Sequence, residues 1–171
     1  TYRAQQIAAA DPNIDTLQHE IEDKAVLTIA RRQPMAIDLR EIVGALRVSN
    51  DLERIGDLAK NIAKRALAVS SETQPRQVMA GMGHMAELAH RQLKSVLDAF
   101  STRDDAKALA VRQADASLDA LYNSVFRELL TYMMEDPRNI GLCTHLLFCA
   151  KNIERIGDHA TNIAESIYYS V

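Results

Sequence analysis

The run Asp51-Leu-Glu-Arg-Ile-Gly-Asp57-Leu-Ala-Lys-Asn61-Ile-Ala63 returns near the end of the chain as Asn152-Ile-Glu-Arg-Ile-Gly-Asp158-His-Ala-Thr-Asn162-Ile-Ala164. Glu53 and Glu154 set the offset at 101 residues. A duplication of this kind obliges the chain to fold as two similar halves. Wound as a helix at about 100° per residue, the first copy puts Asn50, Glu53, Asp57 and Asn61 on one stripe. Leu52, Ile55, Ala59 and Ile62 fall on the opposite, core-facing stripe. The second copy aligns Glu154, Asp158 and Asn162 in the same way. Acids four residues apart repel by a few tenths of a kcal/mol, and Gly56 and Gly157 each cost about 1 kcal/mol in mid-helix. A sequence that accepts both, twice, gives up local stability for function. The glycines are expected to admit a neighbouring backbone or a ligand.

The rest of the chain reads as helix with short interruptions. Residues 1–10 have no start signal. Asp11-Pro12 then offers either an N-cap followed by an N1 proline or a kink within one longer helix. The pattern runs through Leu17, Ile21 and Leu27 to about Arg32, where Gln33-Pro34 ends it. Asp38 with Glu41 predicts a capping box for a second helix reaching about Val69, roughly 45 Å long. The polar Ser70–Pro75 linker separates the halves, taken as 1–72 and 73–171. Three helices follow, over about 76–100, 106–134 and 138–169, and no segment has strand character. The expected fold is all-α with long antiparallel helices.

The duplication extends upstream. Asp11-Pro-Asn-Ile-Asp15 matches Asp115-Ala-Ser-Leu-Asp119, with a slip of three residues near the intervening turn. Each half therefore carries Asp-x3-Asp on one helix and Glu-x3-Asp on the next, at similar distances from their shared turn. Antiparallel packing would face the pairs, giving four carboxylates per half. Such a group repels unless some members are protonated or a cation sits among them. Oxygen-only donors suit hard ions such as Mg²⁺, Mn²⁺, Ca²⁺ or ferric iron. Asn61 and Asn162 would orient the ligands or join them. The competing reading makes the acids a solvated face paired with Arg54 or Lys64.

Other classes are poorly served. The net charge is −3, with no basic run, which argues against nucleic acid. No apolar stretch is long enough to span a bilayer and no signal peptide is visible, so a cytoplasmic location is expected. Aromatic residues make up only 5% of the chain, so Ala, Leu and Ile carry the packing. Cys143 and Cys149 read as buried free thiols. Glu87-x2-His90 leaves room for a di-iron carboxylate bundle acting as an oxidoreductase or iron store. Those bundles use two such units and one is present. No catalytic constellation is found.

At Ala30-Arg-Arg-Gln-Pro34, Asp38-Leu-Arg40, Asp51-Leu-Glu-Arg-Ile-Gly-Asp57, Leu130-Thr-Tyr-Met-Met-Glu-Asp136 and Phe148-Cys-Ala-x-Asn-Ile-Glu-Arg-Ile-Gly-Asp158, the chain resembles the PhoU family. The resemblance implies two tandem three-helix bundles, the first lacking its first helix here. It implies multinuclear metal clusters at positions matched by Asp11, Asp15, Glu53, Asp57, Asp115, Asp119, Glu154 and Asp158, with iron, zinc, manganese or magnesium as the metal. It further implies a non-enzymatic adaptor between the ATP-binding subunit of the high-affinity phosphate transporter and a sensor histidine kinase. Such an adaptor restrains uptake, represses the phosphate-starvation response and is often a homodimer. The missing first helix would leave an apolar face on the first half to be covered.

Overall fold

The computed structural model describes residues 2–170, apart from the side chains of Ala8, Asp11, Tyr169 and Ser170. Five long helices account for nearly all of it: α1 (Tyr2–Arg32), α2 (Ile37–Ala68), α3 (Arg76–Thr102), α4 (Asp105–Glu135) and α5 (Ile140–Ser170). The described residues contain no strand. The two readings of Asp11-Pro12 resolve in favour of one continuous helix with Pro12 inside it. The proline forfeits one backbone bond, and the Thr16 hydroxyl donates to the Pro12 carbonyl at 2.8 Å.

The helix ends are set by local chemistry, not always where the sequence suggested. The capping box at Asp38 does not form. Gln33 and Ala36 both take left-handed φ angles of 47°, so the chain reverses early and α2 starts at Ile37 with no side-chain cap. Asp38 becomes a first-turn acid, where the helix dipole still favours it, and Glu41 instead meets Arg103 at 2.9 Å. Asp104 is a working N-cap for α4, accepting from the Lys107 amide at 2.9 Å. Before α5, Pro137–Asn139 form a single 3-10 turn, which moves the start of the last α-helix from the expected 138 to Ile140. Asp136 accepts from both the backbone and the guanidinium of Arg138, and these bonds hold its carboxyl below the usual range.

The chain forms two tandem bundles, the first without its first helix. Helices α3, α4 and α5 pack against one another, α2 lies along α5, and α1 rests on α2 alone. Arg65 stacks over Phe148 at 4.1 Å, while Asp51 meets His159 at 2.8 Å, so α2 and α5 run antiparallel. Two buried clusters supply the core. One gathers Val78, Met85, Leu118, Leu129, Cys143 and Ile153, with Val69 from the end of α2. The other joins Val48 and Ile55 of α2 to Val96, Val111, Ala160 and Ile163. Both cysteines are free and buried, and burial raises their thiol pKa values, keeping them protonated and unreactive. Helix α1 contributes little to the core. Ile7, Leu17, Val26 and Leu27 remain exposed along it, the expected uncovered face of the shortened bundle.

Candidate functional site

Helices α4 and α5 bring the acids of the second repeat together. One carboxylate oxygen from each of Asp119, Glu154 and Asp158 can be chosen so that all three lie within 4.8 Å of one another. Asp119 and Asp158 are exposed, whereas Glu154 is buried at 9% relative accessibility. Asp115 joins the group electrostatically. Its carboxyl pKa is raised, first by desolvation and then by the charges of Asp119, Asp158 and Glu154, against a lowering contribution from the Thr161 hydroxyl. Lys151 provides the nearest positive charge. Its ammonium donates to Glu154 Oε1 at 2.6 Å and lies 5.2 Å from the Tyr122 ring centre. The second Glu154 oxygen, Oε2, is buried without a hydrogen-bond partner.

The first repeat is arranged differently. Ile14 approaches the Gly56 backbone, so α1 and α2 meet at the expected level. Glu53, however, lies 3.5 Å from Arg54, and Asp57 accepts from Lys60 at 2.6 Å. The Lys60 bond is the largest cause of a lowered Asp57 pKa. Asp15 is half-buried on α1, and the Asp11 side chain lies outside the described residues. Among the described residues, the first-half acids form no group comparable to that of the second half.

Three expectations about the motif need correction. The glycines admit facing side chains rather than a neighbouring backbone. A Cβ on Gly56 would stand 3.0 Å from Ile14 Cδ1, and one on Gly157 would collide with Leu118. Asn162 donates to Asp51 on α2 at 3.5 Å instead of reaching the acids, and Asn50 accepts from Gln18 on α1 at 2.8 Å. Glu87 and His90 are both exposed on α3, so the di-iron bundle geometry is not favoured.

A PhoU domain model matches residues 2–66 and 82–167. The chain belongs to the PhoU family. A relative from Rhizobium meliloti (strain 1021), named as a phosphate-specific transport system accessory protein PhoU homolog, is 60% identical over 97% of this chain and 70% of its own length. A crystal structure of PhoU from Pseudomonas aeruginosa superimposes with a TM-score of 0.94 at 40% identity, covering 98% of this chain and 80% of that one. A second, of the phosphate transport system regulatory protein PhoU from Streptococcus pneumoniae, gives 0.88 at 28% identity over 98% and 78%.

Within this PhoU fold, sequence reasoning missed Lys60, Lys151 and Gln92. The lysines gave no signal, because their pairing three residues away is one of several available to a long side chain. Gln92 did give one. Val78, Met82, Met85, Ala89, Gln92, Val96 and Ala99 are all buried, at alternating steps of four and three along α3. Gln92 is the only polar member of that seam.

Proposed function

We propose that this chain is a cytoplasmic accessory of a bacterial phosphate transporter and a negative regulator of the phosphate-starvation response, working as a metal-bearing adaptor rather than an enzyme. The relationship to the Rhizobium protein, 60% identical over nearly the whole chain, carries this reading. The adaptor joins the ATP-binding subunit of the high-affinity transporter to a sensor histidine kinase, as a homodimer. When phosphate is plentiful it holds the kinase in its repressing state and restrains uptake. It makes these contacts from outside the bilayer. No helix among the described residues is long and apolar enough to cross a membrane, and a net charge of −3 does not suit nucleic acid.

The donor chemistry of the second repeat fits a cation. Asp115, Asp119, Glu154 and Asp158 would hold it, and the orphaned Glu154 oxygen is the observation that favours it. A buried carboxylate oxygen without a partner is costly, and a bound cation would compensate for it. An all-oxygen donor set suits magnesium, manganese or iron better than zinc, which prefers nitrogen and sulfur. Asp11, Asp15, Glu53 and Asp57 are the corresponding donors of the first repeat. The bound metal supplies positive charge that lets the facing acids of adjacent helices approach.

Deleting the gene should make phosphate-regulated phosphatase constitutive at high phosphate, and persistent repression would reject the regulatory role. Complementation with a Glu53→Ala, Asp57→Ala, Glu154→Ala, Asp158→Ala variant should fail to restore repression. Full restoration would separate the acids from the regulation.

A further inference from the structure

Gln92 is a buried amide with no partner. Its residue is only 3% exposed, and neither Nε2 nor Oε1 has a hydrogen-bond partner. It faces the acidic group rather than the middle of the core. Gln92 Oε1 lies 3.1 Å, and Asp115 Oδ1 lies 3.4 Å, from the position a Cβ would take on Gly157. Gly157 itself stands between Glu154 and Asp158 on α5. The missing glycine side chain thus leaves a small space that Leu118 of α4 largely fills, with an amide from α3 and a carboxylate from α4 both reaching its edge.

The rest of the α3 seam is apolar, so packing alone would favour methionine or leucine here. An amide has two donors and an acceptor, and half a turn about its terminal bond exchanges oxygen and nitrogen. Turned with nitrogen towards α4, it would present a donor on the side of the Asp115 carboxylate, whose other oxygen would be left to face Asp119, Glu154 and Asp158.

From this geometry we infer that Gln92 is a positioning residue of the second-repeat cation site, its amide N–H holding Asp115 in place through the opening at Gly157. The inference rests on the metal-binding reading above. It adds a third helix to the site. Helices α4 and α5 supply the acids, and α3 fixes the orientation of Asp115. The coupling is reciprocal: cation binding orders the carboxylate that the amide faces, and the amide holds that carboxylate ready for the cation.

The test is Mn²⁺ titration of the full-length wild type and two variants, with a melting curve of each in chelator. Gln92→Met keeps the shape and removes the polar atoms. It should weaken Mn²⁺ binding about ten-fold or more while raising the metal-free Tm by about 2–4 °C. A purely structural amide would move the Tm without moving the affinity, and that result would overturn the inference. Gln92→Glu, titrated at a pH high enough to ionise the new carboxyl, has no proton to donate and should also bind Mn²⁺ more weakly. Tighter binding by this variant would mean that position 92 ligates directly, and would likewise overturn the positioning role. If wild type itself fails to take up Mn²⁺, the metal reading falls and this inference falls with it. If wild type binds and Gln92→Met binds equally well, the inference alone fails.

Discussion

The two repeats carry the same words in their second helix and treat them differently. In the second repeat, Glu154 is buried and Asp119 and Asp158 close around it, while Asp115 is pressed into the same charge field. In the first, Glu53 and Asp57 sit beside Arg54 and Lys60 much as Glu154 sits beside Lys151, but among the described residues they gather no comparable group of acids. One substitution between the copies accounts for part of this. At the offset of 101, Lys60 corresponds to Thr161. A lysine at that position cancels Asp57, whereas a threonine offers Asp115 only a hydroxyl. Covering explains more. Helix α3 packs on both α4 and α5, whereas among the described residues α1 packs on α2 alone. A duplicated motif therefore sets where acids can meet, and the surrounding helices and counter-ions set how strongly they are driven together.

The sharpest way to break this contrast is to remove acids from one repeat at a time. Glu154→Ala with Asp158→Ala should lower Mn²⁺ affinity at the tightest site by about 100-fold or more, since two direct ligands outweigh an outer-shell contact. Glu53→Ala with Asp57→Ala should leave that site within about threefold of wild type, because the acids removed belong to the other repeat. Equal losses from the two variants would erase the distinction between the repeats.

A second contrast lies in the glycines. Gly157→Ala drives a methyl into Leu118, which is fully buried, with Gln92 and Asp115 close behind. Overpacking of this kind costs about 1–3 kcal/mol, which exceeds the helix-propensity gain of about 1 kcal/mol. We expect a net loss of about 1 kcal/mol by urea unfolding. Gly56→Ala meets only the terminal methyl of Ile14, a residue already 36% exposed that can swing outward. There the propensity gain should win or break even, for a change between zero and about 0.5 kcal/mol of stabilisation. A destabilised Gly56→Ala protein would mean that α1 is held on α2 as firmly as α4 is on α5.

Much of this was legible in the chain itself. The duplicated run, the low glycine and proline content and the apolar spacing place the helices to within about two residues of their observed bounds, except the start of α1, which Asp11-Pro12 left open. The acids of α4 and α5 are identifiable as a group because antiparallel helices from one turn must bring equal offsets together. What escaped depended on partners distant in sequence or on backbone angles. Asp38 reads as a cap, but the positive φ angles of Gln33 and Ala36 reverse the chain and start α2 before it. Asn162 reads as a ligand support, but α5 turns it towards Asp51 of α2. His159 has no ligand spacing along the chain, yet it meets Asp51 from the opposite repeat at 2.8 Å.

The smallest effect is also the most diagnostic, because the two repeats should respond to pH with opposite signs. Burial and like charges raise the pKa of Asp115, so the folded state binds its proton more tightly than the unfolded chain. This contribution opposes folding once pH rises above the ordinary aspartate value, and grows until pH passes the raised one. Asp115→Asn should therefore stabilise metal-free protein at neutral pH, with the gain vanishing below the ordinary aspartate range. The Lys60 bond lowers the pKa of Asp57, so its contribution favours folding at neutral pH and is lost as pH falls through the lowered value. Asp57→Asn should accordingly destabilise at neutral pH, by no more than about 1 kcal/mol for a half-exposed pair, and have little effect in acid. Melting curves of both variants in chelator, compared with wild type across the acid range, should converge on the wild-type line from opposite sides as pH falls. Parallel curves would show that the acids of the two repeats sit in equivalent fields, and that Lys60 and Thr161 are interchangeable.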